Sequence, residues 1–119
     1  MDAPLVELEP DDLDEAEGFD LANLHPEDTG LPMVVWISDG QGVRHDVRVK
    51  ISEEHGGRIR TDRWAVMSVR PTPELIRGTL DGRDVEAVRR WIRLNEATIM
   101  AYWRGEMSTR AMLDSLQLV

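Results

Sequence analysis

The middle of the chain alternates between apolar and polar residues, which is the pattern of half-buried β-strands. Residues 33–38 are apolar and rich in β-branched side chains. Residues 43–51 alternate strictly, and a glycine-containing turn at 39–42 separates the two segments. Residues 63–70 are apolar on both faces and predict a third, better-covered strand. We therefore expect a three-stranded antiparallel sheet whose second strand turns basic residues away from the core.

Apolar residues at helical spacing dominate the C-terminal part of the chain. Residues 84–103 predict one long helix, with Gly105 as its left-handed C-terminal cap. Residues 72–74 (Thr-Pro-Glu) predict the start of a short helix before Gly78, because a hydroxyl, a proline and a carboxylate in this order are typical of a helix N-terminus. Ser108 predicts the cap of a last short helix. The inward residues of that helix are Met112, Leu113 and Leu116.

The predicted fold class is α+β, with a three-stranded antiparallel sheet followed by one long and two short helices packed on one face. A single domain is expected over residues 33–119, a length that supports one modest core. Residues 1–32 precede it as an acidic arm and linker. Prolines interrupt this segment and its charge favours solvation, so we expect it to be mobile.

The excess negative charge is confined to the first thirty residues. They contain eleven carboxylates and no Lys or Arg, whereas the other 89 residues carry 14 bases and 12 acids. The net charge of −9 therefore divides into −11 for the arm and +2 for the rest of the chain. We expect the arm to bind a partner with a basic surface. The carboxylates assigned to this contact are Asp11, Asp12, Asp14, Glu15, Glu17 and Asp20.

The composition also limits the classes of protein to which the chain could belong. It has no cysteine, which excludes disulfides and thiolate metal sites. No leader with a basic and an apolar part is recognisable, and no apolar stretch approaches the ~20 residues of a membrane span. We therefore expect a cytoplasmic protein with no membrane contact.

No motif for catalysis or for cofactor binding stands out in the sequence. His25, His45 and His55 lack the spacing of metal ligands, and the glycines of 39–42 do not open a helix as those of phosphate-binding loops do. No serine lies in a nucleophile motif. We predict no catalytic residue, no cofactor and no metal. An enzyme would need a pocket that gathers two of His45, His55 and Asn95.

The basic residues are thirteen arginines and a single lysine, all outside the acidic segment. The predicted basic surface consists of Arg44, Arg48, Lys50, Arg89 and Arg93. Nucleic acid is the less favoured ligand of this surface, because tight binding needs about six or more phosphate contacts and the net charge here is only +2. Trp103 is the predicted interface anchor among the tryptophans.

The helical C-terminal half carries a recognisable set of residues. They are Trp91, Ile92, Leu94 and Asn95, then Ile99, Tyr102, Trp103 and Gly105, and finally Thr109 and Leu113. This set resembles that of small bacterial proteins known only as domains of unknown function, some of them said to lie near toxin–antitoxin or mobile-element genes. The resemblance spans the chain from Val34 onward and implies no activity. Asn95, the polar member of the inner stripe, is either structural or part of a small polar site.

Three functions follow as hypotheses. The first is a non-enzymatic protein-interaction or regulatory protein that uses its acidic N-terminal segment to engage a basic partner. The second is an Arg-rich domain that binds nucleic acid or a protein and is autoinhibited by its own acidic arm. The third is a small enzyme of unknown reaction. Unpaired sheet edges would also allow a homodimer, which the sequence leaves open.

Overall fold

The computed structural model describes residues 21–40, 45–57 and 63–119. Within these residues the chain forms one five-stranded antiparallel sheet, in which the strands lie in the order of the sequence. The strands are β1 (Leu21–Leu24), β2 (Met33–Ser38), β3 (Arg48–His55), β4 (Trp64–Ser68) and β5 (Leu75–Arg77). The helices are α1 (Pro26–Thr29), α2 (Gly82–Trp103) and α3 (Thr109–Ser115). The α+β class and the antiparallel sheet are confirmed, but the predicted number of three strands is wrong.

The first additional strand comes from the segment that was predicted to be part of the acidic arm. Residues 21–24 pair with β2 in the register Ala22↔Ile37, and Ala22 and Leu24 are buried in the core. After the strand, α1 turns the chain back toward β2, and Leu31 is also buried. Residues 21–32 therefore belong to the folded unit, because their apolar side chains have a core to enter.

The second additional strand replaces a predicted helix. Residues 72–77 carry a helix-start pattern, but the backbone N–H of Ser68 donates to the carbonyl of Glu74 at 2.9 Å, and β5 follows as a partner of β4. Gly78 ends the strand with φ +83, and a Cβ at this glycine would lie 2.6 Å from the Cα of Ala65. Pairing with the free edge of β4 outweighs the local preference of this segment, since an unpaired strand edge leaves its backbone groups unsatisfied.

The predicted pairing of the first two predicted strands, residues 33–38 and 43–51, is confirmed with shifted bounds. Val35 pairs with Ile51 and Trp36 with Lys50, so β2 and β3 are antiparallel neighbours. The second strand was predicted over residues 43–51 but runs from Arg48 to His55. Part of the predicted turn lies at residues 41–44, outside the described residues.

The long helix α2 is confirmed, and so is its predicted C-terminal cap Gly105, but the helix begins at Gly82 rather than at the predicted residue 84. Asp81 is the N-cap, and its Oδ1 accepts from the backbone N–H of Asp84 at 3.0 Å. At the other end Gly105 has φ +74, and its N–H donates to the carbonyl of Tyr102 at 3.0 Å, as in the Schellman motif. The helix bends at Asn95, where φ is −114 and ψ is 16.

The hydrophobic core lies between α2 and one face of the sheet, which we call the core face. Trp91 and Ile92 of α2 are fully buried there and belong to one cluster with Val35, Ile51 and Met67 of the sheet. Among the described residues, no helix is both long enough and apolar enough to cross a membrane.

The last helix, α3, has the predicted cap and a narrower buried face than predicted. Ser108 Oγ accepts from the N–H of Ala111 at 3.1 Å. Met112 is fully buried, whereas Leu113 is 39% exposed, so the predicted inward direction of Leu113 is wrong. Adjacent residues of a helix lie about 100° apart, so a short helix that contacts the core along one line buries only one of them.

The C-terminal tail is fastened to the rest of the fold at two points. Asn95 Nδ2 donates to the carbonyl of Gln117 at 3.0 Å, and Asn95 Oδ1 accepts from the N–H of Gln117 at 2.8 Å. Two residues later, the N–H of Val119 donates to the carbonyl of Thr29 at 2.9 Å. Asn95 therefore has a structural role, which was one of the two predicted alternatives.

Candidate functional site

The face of the sheet that points away from the core, the outer face, carries a row of residues from all five strands. The register aligns Asn23, Trp36, Lys50, Val66 and Arg77, one from each strand. Directly opposed residues of antiparallel strands project from the same face, so these five side chains are neighbours. The adjacent positions Arg48, Ser52, Trp64 and Ser68 belong to the same face by their alternation along β3 and β4.

Two cations on the outer face contact one tryptophan. Lys50 Nζ lies 4.5 Å from the centre of the Trp64 ring, and the guanidinium carbon of Arg77 lies 5.7 Å from it. Such cation–π contacts contribute about 0.5–2 kcal/mol each, with the larger values where water is excluded. Lys50 lies on the predicted basic face of its strand but is only 4% exposed, so its assignment to a basic surface is wrong.

The centre of the outer face is shielded from solvent. Val66 and Ser52 are fully buried, and Trp36 is 7% exposed. None of these residues belongs to the core cluster that α2 and α3 share with the other side of the sheet. The centre of the outer face is therefore a second buried surface, and it contains both aromatic and basic side chains.

The structure divides the predicted basic surface between two sides of the molecule. Arg48 and Lys50 lie on the outer face of β3, whereas Arg89 and Arg93 lie on α2, which packs on the opposite side of the sheet. Arg89 donates from Nε to the carbonyl of Pro73 at 3.0 Å, and its guanidinium is also paired with Glu86. Arg44 lies outside the described residues. The described members of the set thus do not form one patch.

The predicted interface anchor, Trp103, contacts its own chain at the end of α2. Its ring is stacked on that of His45, with a centroid distance of 6.0 Å and an interplanar angle of 23°. Its carbonyl accepts from the N–H of Gly40 at 2.6 Å, which brings the end of β2 against α2. A Cβ on Gly40 would lie 2.9 Å from the Trp103 ring, so glycine is needed for this close approach.

The six carboxylates assigned to partner binding all lie in residues 1–20, outside the described residues. The two remaining acids of the predicted arm, Glu27 and Asp28, lie in α1. Asp28 Oδ2 accepts from the N–H of His25 at 3.0 Å and so caps the helix. The described part of the predicted arm therefore uses one of its acids for local structure.

A second candidate site is a cleft at the end of β3, which was not predicted from the sequence, although His55 was named as a possible pocket residue. His55 Nε2 lies 2.8 Å from Asp84 Oδ2, and the side chain of Asp84 is 12% exposed. The cleft has a volume of about 440 Å³ and is also lined by Glu53, Arg63 and Asp81. A histidine oriented by a carboxylate can transfer protons, but the pair also joins β3 to the first turn of α2, which is a structural role.

The elements around this cleft are held together by Glu53. Its Oε2 accepts from the N–H of Thr79 at 2.9 Å, which fixes the connection between β5 and α2. Its Oε1 lies 3.9 Å from Arg63 Nε. The carboxylate of Glu53, which lines the cleft, is therefore engaged with its own chain.

The residues that would support an enzyme do not meet. His45 contacts Trp103, His55 contacts Asp84, and Asn95 binds the backbone of Gln117, so the three lie in separate places. Among the described residues, no group of three or more His, Asp or Glu side chains could hold a metal ion.

Comparisons with protein-family models, with curated proteins and with solved structures found no match. The resemblance carried by residues Trp91 to Leu113 therefore stays a prediction, and the candidate site is defined by its geometry alone.

Proposed function

We propose that the protein is a non-enzymatic interaction or regulatory protein whose acidic N-terminal segment engages a partner with a basic surface. One observation carries this proposal, the separation of the acidic excess from the charge-balanced remainder of the chain. Nine of the 23 acidic residues lie in residues 1–20, which contain no Lys or Arg; the remaining 14 acids equal the 14 bases of residues 21–119. The whole net charge of −9 thus precedes the first described strand, β1.

The segment suits a protein partner better than it suits mimicry of nucleic acid. Nine carboxylates in twenty residues correspond, in an extended chain, to one charge every ~7 Å. Duplex DNA carries one charge every ~1.7 Å, so the resemblance to a nucleic acid is poor. Apolar residues such as Leu8, Leu13 and Phe19 are interspersed with the acids and could contact a protein surface. A linear segment that orders on a basic protein is the simpler mode of binding.

The experiment compares two variants of the full chain that lose the same charge in different places. In one variant, four carboxylates of residues 1–20 become amides. In the other, four exposed carboxylates of residues 21–119 become amides. The first set is Asp11, Asp12, Asp14 and Glu15, and the second is Glu27, Glu96, Glu106 and Asp114. Partners recovered from the native host by the unchanged chain are identified, purified and titrated against all three proteins.

We expect a partner that the first variant binds at least tenfold more weakly and the second variant binds normally. We also expect its affinity to fall as the salt concentration rises, because exposed charges are screened beyond ~8 Å at physiological ionic strength. Equal losses in both variants, or an unchanged affinity in the first, would contradict the proposal. A His55→Ala variant should bind the partner normally, since the cleft is not part of this interface.

A second candidate function is an Arg-rich binding domain that its own acidic segment inhibits. The observation in its favour is the set of cations on the outer face, Arg48, Lys50 and Arg77. In this case the first variant above would gain affinity for nucleic acid or for an acidic protein instead of losing a partner. The same three proteins therefore separate the two candidates.

A further inference from the structure

The buried centre of the outer face requires a cover. Val34 and Val66 are fully buried, and Trp36 and Lys50 are 7% and 4% exposed, although none of the four belongs to the core cluster. Among the described elements, α2 and α3 pack on the core face, on the other side of the sheet. The described helices therefore do not account for the burial of these side chains.

We propose that residues 1–20 of the same chain dock on the outer face. This goes beyond the proposed function, because a contact within one molecule needs no outside partner. Charge is the first reason for choosing this occupant: the face presents Arg48, Lys50 and Arg77, and the segment holds nine carboxylates and no base. Carboxylates close to the buried ammonium of Lys50 offset the cost of removing it from water.

The other two segments outside the described residues fit this place less well. Residues 41–44 and 58–62 are four and five residues long, and they contain Arg44, Arg58 and Arg60 with Asp62 as their only acid. Their charge has the same sign as that of the outer face. Neither segment is long enough to lie across five strands, which span about 20 Å at ~4.8 Å between neighbours.

The length and the starting point of residues 1–20 suit the docking. Asp20 directly precedes β1, which is an edge strand of the same sheet. Twenty residues reach about 30 Å as a helix and about 65 Å when extended, so the segment can cross the sheet from β1 to β5 in either form. Its apolar residues, among them Leu8, Leu13 and Phe19, can contact Trp36 and Val66.

The docking would occlude the cationic face and determine what it can bind. An outside ligand of Arg48, Lys50 or Arg77 would have to displace the acidic segment first. A basic partner of the segment would in turn expose the face when it removes the segment. The two surfaces would then compete for one occupant, and each would be available only when the other is released.

The experiment measures distances in the intact chain by paramagnetic NMR. The sequence contains no cysteine, so Asp12→Cys provides a unique site for a nitroxide label. We expect the amide signals of Lys50 and Val66 to lose most of their intensity relative to a diamagnetic label. The amides of Arg93 and Glu96, exposed on α2 on the other side of the sheet, should keep theirs. Equal loss on both sides, or loss only at α2, would overturn the proposal.

Two controls separate the docking from related effects. Mixing nitroxide-labelled chains with isotope-labelled chains tests for a contact between molecules, and broadening in that mixture would replace this proposal with a dimer. Lys50→Met keeps the apolar stem and removes the charge, so the signal loss at Val66 should fall at least twofold. If that variant does not fold, the exposed Arg77→Gln gives the same test at the edge of the face.

The outcome is independent of the proposed function. The NMR measurement uses the purified chain alone, so it can fail while a basic partner is still found. Conversely, the docking can be confirmed when the host yields no partner.

Discussion

The hydrogen bonds between Asn95 and the C-terminal tail predict a measurable loss of stability when Asn95 is replaced. Asn95 is 2% exposed, and its side chain makes three hydrogen bonds to backbone groups. Its Nδ2 donates to the carbonyls of Trp91 and Gln117, and its Oδ1 accepts from the N–H of Gln117. Replacing Asn95 with alanine removes all three at the bend of α2.

The magnitude follows from the net value of a hydrogen bond, about 1 kcal/mol each. Three bonds give an upper limit of about 3 kcal/mol if the tail keeps its place. Gln117 is exposed, so water can satisfy its backbone groups once the tail is released, which reduces the loss. We expect Asn95→Ala to lower the free energy of unfolding by about 2 kcal/mol.

A double-mutant cycle in urea unfolding tests the contact itself. Gln117→Pro removes the N–H that donates to Asn95, and the residue before it already has φ −66 and ψ 142, which proline permits at that position. We expect Gln117→Pro to cost more when Asn95 is present than when residue 95 is alanine, by about 1 kcal/mol. Any effect of proline on the unfolded chain cancels in the cycle. Gln117→Ala keeps the N–H and serves as the matched control, with a change below about 0.5 kcal/mol.

Two results would refute this reasoning. One is a loss smaller than about 0.5 kcal/mol for Asn95→Ala, which would mean that the buried amide contributes little beyond what water supplies. The other is full additivity of the two changes, which would mean that Asn95 and Gln117 act on stability independently.

Three further predictions test other parts of the fold. The hydrogen bonds from Arg70 hold the pKa of Asp46 below its ordinary value of 3.8. The pair therefore stabilises the fold above that pH, and this contribution is lost as the pH falls below it. In the Arg70→Met variant, an NMR titration should show the pKa of Asp46 returned toward 3.8, and an unchanged pKa would disprove the cause. Gly78→Ala should lower the thermal midpoint, because Gly78 has φ +83 and the new methyl group would clash with the backbone of β4. The control Gly82→Ala, which has open space around it, should leave the midpoint unchanged or raise it. Equal effects of the two changes would argue against backbone strain at Gly78. Met112→Ala should cost about 2–5 kcal/mol in urea unfolding, and a loss below about 1 kcal/mol would show that α3 is not anchored by this side chain.

The elements that the sequence predicted well are those whose signals are local. The bounds of α2 follow from the apolar period and from its flanking turn and cap residues, which act within a few residues of the chain. The N-cap Ser108 was recognisable for the same reason. Such signals are independent of the partner against which the helix packs.

The two strands that local sequence patterns did not predict, β1 and β5, depend on the strands beside them. Residues 72–77 have a local preference for a helix, and they become β5 because β4 offers a free edge. Residues 21–24 were hidden in a segment classified by its charge, yet they pair with β2 and enter the core. In both cases a tertiary contact decides against the local pattern, since it satisfies backbone groups and buries apolar surface at the same time.

The candidate sites also combine features that local sequence patterns predict with features that depend on tertiary contacts. The pair of His55 and Asp84 is 29 residues apart in sequence, and the contact of Lys50 and Arg77 with one indole depends on strand register. Alternation correctly placed Arg48 and Lys50 on the face opposite the core. It could not show that this face is buried, because the period of a strand separates the two faces without saying what covers either of them.

The sequence by itself determined the separation of charge, with nine carboxylates and no base ahead of a chain whose other charges balance. It also determined the long helix and its C-terminal end, because these properties, like the charge, belong to residues close together in the chain. Only the tertiary structure decided that residues 21–32 belong to the folded unit, that β1 and β5 join the sheet, and that Lys50 is buried beside Trp64. Those features depend on contacts between residues that are distant in the chain, and such contacts stabilise the fold only once the strands are in register.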